Sequence, residues 1–508
     1  MIHIRRIPLV FIFIAISLVN YAAVRLPALI SDNMVLQQKS KVALWGWADP
    51  GEKVYITTGW NNKTTNVITG ADGKWITSVK TSAAGGPYTI HFKGSNEITV
   101  KNVLLGEVWL ASGQSNMEFF VGKKRSASYT GVVNYEAEIK AADYPQIRQI
   151  DVPNKNAGEP QKDFVGDWRV CSSTTVDTFS AVAYYFAVKL YKETGYPIGI
   201  INSTWGGTAA ESWTKKEVLA ADPDLNVTLT RYDSLVSNYP QAYANYNTLL
   251  ASWKLDSLTK PKPVTPIKPN PDKAPVRLYN AMIAPLAPYT LKGIIWYQGE
   301  SNADRAYQYR KLFPAMIASW RSDFKNKDLP FYFVQISPHR SQNAEIRDAQ
   351  LYSFRTVTHT GMAVTTDNGD SLDIHPRNKK LVGDRLSLWA LHNEYGKKDM
   401  VVSGPLYRSM KMEGNKIRIR FDYVDGGLVA NEGELKEFTI AGDDQVFVPA
   451  KAMIDGDEVV VWSEQVNKPA AVRFAWKNVP RPNLYNKAGL PASPFRTDNW
   501  MLTTQGKN

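Results

Sequence analysis

Short, uninterrupted apolar runs alternating with amphipathic stretches constrain this chain more than any other feature. The runs are 108–110, 198–201, 293–297, 331–336 and 362–365. Strands that read as continuous apolar runs are buried on both faces, and that belongs to parallel sheets. Between them, Phe179, Val182, Phe186 and Leu190 recur at helical spacing and are closed by Gly195, and a second helical stretch containing Pro314 reaches Trp320. Strands alternating with helices predict an α/β domain. In such domains ligands bind beyond the carboxyl ends of the strands. Three of the runs end there in small polar or glycine-rich tails: Ser112-Gly113-Gln114-Ser115-Asn116, Asn202 to Thr208 with Gly206-Gly207, and Gln298-Gly299-Glu300-Ser301-Asn302.

The flanks have a different character. Residues 24–102 carry short β-rich runs (42–47, 53–57, 74–78 and 88–92) punctuated by Gly51, Gly70, Gly73 and Gly85-Gly86-Pro87, which predicts a small β-sandwich. Residues 401–508 are β-rich again, with alternation over 416–421. The α/β domain therefore spans 103–400. Residues 214–275 interrupt its alternation and read as an insertion. That insertion ends in a stiff, exposed spacer, since residues 260–275 hold four lysines and six prolines against one aspartate.

Composition excludes several classes. At 44% hydrophobic and 21% charged residues, the chain is neither disordered nor fibrous. Residues 1–23, with Arg5 and Arg6 before an apolar stretch at 7–19 and small Ala22 and Ala23 after it, read as a signal peptide. Export to the periplasm or the exterior is the expectation. No later apolar run is long enough to span a membrane. Cys171 is the single cysteine, so no internal disulfide supports the fold, and a buried inert thiol is expected. The net charge of +12 comes from scattered residues and reads as a solvated surface, with no nucleic-acid partner. Zinc-ligand clusters, phosphate-binding loops and dinucleotide fingerprints are missing from the sequence, so neither metal nor cofactor is expected.

Six histidines allow an elimination. His3 leaves with the leader, His91 falls in the N-terminal sandwich, His392 lies in the last turn of a helix, and His359 has no acidic neighbour in sequence. His339 and His375 remain. Only His375 has an aspartate beside it, Asp373, two residues earlier, where both can point to one side of an extended segment. Ser115 lies in a strand-end turn that is not the G-x-S-x-G elbow, because Met117 takes the last place. Ser112 is its rival as nucleophile. Gly206-Gly207 and Gln298 are the natural donors for a developing oxyanion.

In order along the chain, Gly113-Gln114-Ser115-Asn116-Met117-Glu118, Ser203-Thr204-Trp205-Gly206-Gly207-Thr208, Trp296-Tyr297-Gln298-Gly299-Glu300 and Asp373-Ile374-His375-Pro376 resemble the blocks of the sialate O-acetylesterase family of SGNH hydrolases. Residues 278–283 and 490–496 resemble that family too, so the likeness runs from about 30 to 500. It implies a flavodoxin-like SGNH hydrolase core, flanked by N- and C-terminal β-domains, that removes O-acetyl groups from sugars. It also implies Ser115 as nucleophile, His375 as base, Asp373 as its orienter, and an oxyanion hole built from Ser115, Gly206 and Gln298. Two departures stand out. Gln298 replaces the superfamily's usual Asn, and the acid lies two residues before the histidine where three is commoner, so a Ser–His dyad stands beside the triad as an alternative.

The expected substrate is an O-acetylated carbohydrate, foremost a 9-O-acetylated sialic acid, with acetylxylan or another polysaccharide as the alternative. Two other classes stand beside these. One is a non-catalytic carbohydrate-binding protein, suggested by 15 tryptophans and two β-domains. The other is a glycosidase drawing a carboxylate pair from Glu107, Glu118, Glu211 and Glu300 near the strand ends. Oligomeric state is not legible.

Overall fold

The computed structural model describes residues 23–123 and 129–507. The leader expected at 1–23 lies outside them except for Ala23. Strands β1 (Val35–Gln37), β2 (Lys41–Trp47), β3 (Lys53–Thr58), β4 (Lys63–Ile68), β5 (Lys74–Lys80), β6 (Gly85–Lys93) and the first half of β7 (Glu97–Gly113) make the N-terminal unit. β4, β3, β6 and β7 form one antiparallel layer. The β2–β5 ribbon forms the other. The two meet through Trp75 and Phe92, whose ring centroids are 5.9 Å apart.

β7 does not stop at the expected boundary near 102. It alternates exposed and buried residues up to Asn102, and from Val103 onward every residue is buried. That change is the passage from a half-solvated sheet to one covered on both faces. One 17-residue strand is therefore shared by the sandwich and the α/β core.

The core adds β8 (Asp143–Asp151), β9 (Arg169–Ser172), β10 (Ile198–Thr204), β11 (Gly293–Tyr297), β12 (Phe331–Gln335) and β13 (Thr360–Val364). The sheet order is β9-β8-β10-β7-β11-β12-β13, and all neighbours are parallel except β9. The chain enters at the middle and winds outward in both directions, so the strand order reverses next to β7. That reversal is where a cleft opens in doubly wound sheets. Helices Ala181–Thr194 and Lys379–Glu394 pack together on one face, and Ala306–Asp323 and Ala344–Thr356 on the other. Trp109 serves the first face, against Phe186, and Trp296 the second, against Phe313 and Trp320. Gly293 has no side chain because Trp109 lies across it: a Cβ there would sit 2.4 Å from the indole.

The insertion contains the short helix Lys216–Ala221 and the 33-residue helix Pro223–Leu255, of which only Leu225 and Thr228 are buried. Residues 256–270 then return without helix or strand. Beyond residue 400 the chain forms antiparallel sheets, with Ile417, Ile419 and Phe421 of Lys416–Asp422 pointing inward. Among the described residues no helix is long and apolar enough to cross a membrane.

Candidate active site

Ser115 opens a one-turn helix, Ser115–Glu118, immediately beyond the end of β7. The residue is half-buried, and its Oγ has no hydrogen-bond partner among the described residues. Ser112, the rival, is fully buried inside β7, and its hydroxyl donates to the carbonyl of Ser203 at 2.6 Å. A hydroxyl locked in a sheet cannot reach a substrate.

His375 lies on the loop between β13 and the Lys379–Glu394 helix, with its side chain 13% exposed. Tyr129 meets its ring edge-on at 5.4 Å and Phe119 lies 6.4 Å away. Asp373 Oδ1 accepts from the backbone N–H of His375 at 2.8 Å, while the ring Nδ1 stands 3.7 Å from that oxygen. In this geometry Asp373 shapes the loop and attracts the ring without a hydrogen bond to it. Burial first, then the neighbouring charge of Lys379, push the imidazole down to about 4, with Asp373 opposing. No hydrogen bond joins Ser115 to His375. The two are tied through Asn116, which follows the serine and donates to the carbonyl of Ile374, just before the histidine, at 3.1 Å.

Gly206 comes within van der Waals range of the serine. A Cβ on it would lie 3.3 Å from the Ser115 Cβ, 3.0 Å from the Tyr129 hydroxyl and 2.9 Å from Glu118 Oε2. Its N–H is occupied, donating to Glu118 Oε2 at 2.7 Å, and Tyr129 donates to the same oxygen at 2.9 Å. Gln298 stands behind the site. It is fully buried, and its amide nitrogen donates to the Thr208 carbonyl at 3.2 Å and to Asn302 Oδ1 at 2.7 Å. Its oxygen accepts from Tyr309 at 3.0 Å. As it stands, Gln298 has no N–H free for an oxyanion, so its expected donor role would require an exchange of partners.

The tertiary contacts place the remaining candidates. Glu107 is not at the carboxyl end of β7, where Ser115 lies. It aligns with Ile198 at the start of β10, six residues or about 20 Å from Gly113, and accepts from Gln37, Gln38 and Tyr395. Glu211 accepts from Arg231, Arg305 and Asn302, which makes it part of a structural network. His359 does have an acidic neighbour, Asp328, at 3.4 Å. His392 is engaged with the Met400 carbonyl. Cys171 is buried, and burial pushes its thiol up to about 12. Asn116 and Tyr129 were not singled out from sequence, and Glu118 was named only as a possible glycosidase carboxylate. Asn116 and Glu118 lay within a recognised motif, but nothing in their spacing told what they would touch. A cavity of about 840 Å³ opens beside the loop, lined by Asp370, Ser371, Lys436, Arg481 and Tyr485 among others, and contains neither Ser115 nor His375.

A hydroxyl free on a strand-end turn, a histidine held neutral nearby and a doubly wound sheet are the furniture of an ester hydrolase. Residues 268–390 match the family model described as carbohydrate esterase, sialic acid-specific acetylesterase. The chain is 30% identical to the sialate O-acetylesterase of Rattus norvegicus over 93% of its own length and 94% of the rat protein. It is 29% identical to the Homo sapiens protein of the same name over 95% and 93%. Among solved structures, a carbohydrate acetylesterase from Xanthomonas citri superposes with a TM-score of 0.80 at 36% identity, covering 94% of this chain and all of that one. These define a carbohydrate esterase. The chain belongs to the sialate O-acetylesterase family.

Proposed function

We propose that the chain is an exported serine O-acetylesterase on a flavodoxin-like SGNH core, acting on 9-O-acetylated sialic acids. Ser115 Oγ attacks the acetyl carbonyl as His375 takes its proton. The oxyanion faces the N–H groups of Ser115 and Gly206. The latter already holds an anionic oxygen at 2.7 Å, the distance an oxyanion donor needs, and serves once Glu118 turns away. His375 returns the proton to the sugar oxygen as the C–O bond breaks. Water, deprotonated by His375, then releases acetate and restores the serine. Gln298 orders Thr208 and Asn302 behind the glycine turn. The leader-like composition of 1–23 supports export.

The observation that carries this reading is the unpartnered Ser115 hydroxyl beside Gly206, on the turn that Asn116 ties to the His375 loop. The test is acetate release from a 9-O-acetylated sialoside and from acetylated xylan, by the wild type and by Ser115→Ala. Loss of kcat by about 10³ to 10⁶ in a variant with unchanged melting is expected. A folded Ser115→Ala variant that still turns over would overturn the nucleophile. Preference for xylan would move the substrate to neutral polysaccharide, a class that the bacterial relative's name leaves open. A folded wild type inert toward both would return the carbohydrate-binding alternative.

A further inference from the structure

Behind the site lies a buried cluster that the reaction above does not use. Lys379, fully buried at the first residue of its helix, donates from Nζ to Asn116 Oδ1 at 2.5 Å. Asn116 Nδ2 donates to Glu300 Oε1 at 2.6 Å and to the Ile374 carbonyl at 3.1 Å. The other Glu300 oxygen is buried without a partner. Burial pushes the Lys379 amine down to about 7 and the Glu300 carboxyl up. In their charged forms an ammonium only donates and a carboxylate only accepts, and the Asn116 amide sits accordingly, with Oδ1 toward Lys379 and Nδ2 toward Glu300. Lys379 also lies 4.7 Å from the centre of the Phe119 ring and 5.6 Å from that of Tyr297.

Burying an ammonium and a carboxylate costs more than burying apolar groups of the same size. What the cluster visibly does is hold Asn116 in place. Asn116 follows Ser115, and Ile374 precedes His375, so a single hydrogen bond spans the nucleophile's turn and the base's loop. The bond's direction follows from the amide's orientation between Lys379 and Glu300.

We propose that Asn116, held in one orientation by Lys379 and Glu300, is the positioning residue that registers His375 against Ser115. This rests on the reading of Ser115 and His375 as the reacting pair. A misplacement of the base on the order of 1 Å is worth about 100-fold in rate. Asn116→Ala should therefore lower kcat on p-nitrophenyl acetate by about 10- to 100-fold, with KM changed less than about twofold. Asn116→Asp keeps an acceptor for Lys379 but, when ionised, cannot donate to Ile374 and faces the Glu300 carboxyl, so it should lose at least as much at neutral and higher pH, and it provides a second variant should the alanine not fold. The deciding measurement is the same substitution in a His375→Ala background. A residue that acts only through His375 has nothing left to do there, so the two losses should not add. Unchanged kcat in both Asn116 variants would overturn the proposal. So would an equal fold-loss in both backgrounds, which is the mark of a purely structural residue. A fully active His375→Ala variant would overturn the reaction reading itself, and the proposal with it.

Discussion

At His375 three influences compete for one proton. Burial against Phe119 and Tyr129 strips water from the ring, the Lys379 charge repels a proton, and Asp373 attracts one from 3.7 Å. Burial and Lys379 prevail, with His339 adding a smaller push in the same direction, and the imidazole falls to about 4. On the proposed mechanism His375 is therefore in its working form at any pH above that value. The acid limb of kcat/KM should inflect near pH 4, well below an ordinary imidazole, and a pH–rate profile on an acetylated sugar checks it. A limb at the ordinary histidine value of 6.5 would mean the ring is solvated when it works. The same shift bears on stability. Between pH 4 and 6.5 the unfolded chain binds a proton that the folded ring refuses, so this group's contribution weakens as pH falls through that window. Residue types at the site were legible because chemistry restricts them. Whether a named donor is free was not legible: Gln298 is an amide in the right motif, but Thr208, Asn302 and Tyr309 already engage it.

The same divide runs through the elements. The central strands β7, β10, β11, β12 and β13 could be read from their unbroken apolar runs because both faces are covered. β8 and β9 could not. β8 is interrupted by Pro145 and carries Gln146, Arg148 and Gln149, and it pairs with the short antiparallel β9 at the edge of the sheet. β4 was missed for a related reason, having no buried residue at all. In the segment read as an insertion, the long helix buries nothing past Thr228. Exposed segments without secondary structure are where proteases cut first. Leu255 and Leu258 are 90% and 99% exposed, at the end of that helix and just beyond it. Chymotrypsin should therefore cleave there before anywhere else, leaving two fragments that stay associated and keep esterase activity. First cleavage within the β-domains, or activity lost with this cut, would contradict it.

At the scale of the whole molecule, two of the devices that join the parts stand out. One is β7, shared by the sandwich and the core. The other is the C-terminal tail, which returns to the Ala344–Thr356 helix. Both N–H groups and both hydroxyls of Thr503 and Thr504 donate to the Glu345 carboxylate, at 2.5 to 3.0 Å. Burial alone would raise this carboxyl, but the four donors outweigh it and hold the group below its usual value. A carboxylate held this way stabilises the fold above its unfolded pKa, and the contribution is lost as pH falls through the lowered folded value. Ending the chain after Leu502 strips all four donors from a buried acceptor. About 2 to 3 kcal/mol is the expected loss, seen as a melting point lowered by several degrees near neutral pH with kcat little changed. The deficit should shrink on acidification below the carboxylate range. A deficit independent of pH would mean the tail stabilises by packing instead.

What the sequence determined by itself was whatever depends on local order. Apolar runs without gaps specify the buried strands, glycine and polar tails mark the carboxyl ends of those strands, and four ordered blocks announce the family. What only the tertiary structure decided was which groups, distant in sequence, compete for the same partner. Glu118 takes the Gly206 N–H, Asp328 reaches His359, Ser203 captures the Ser112 hydroxyl, and Lys379 orients Asn116. The reason is physical. Strand and helix periodicity are set by neighbours a few residues away, whereas a hydrogen bond depends on which donors and acceptors the folded chain brings within about 3 Å.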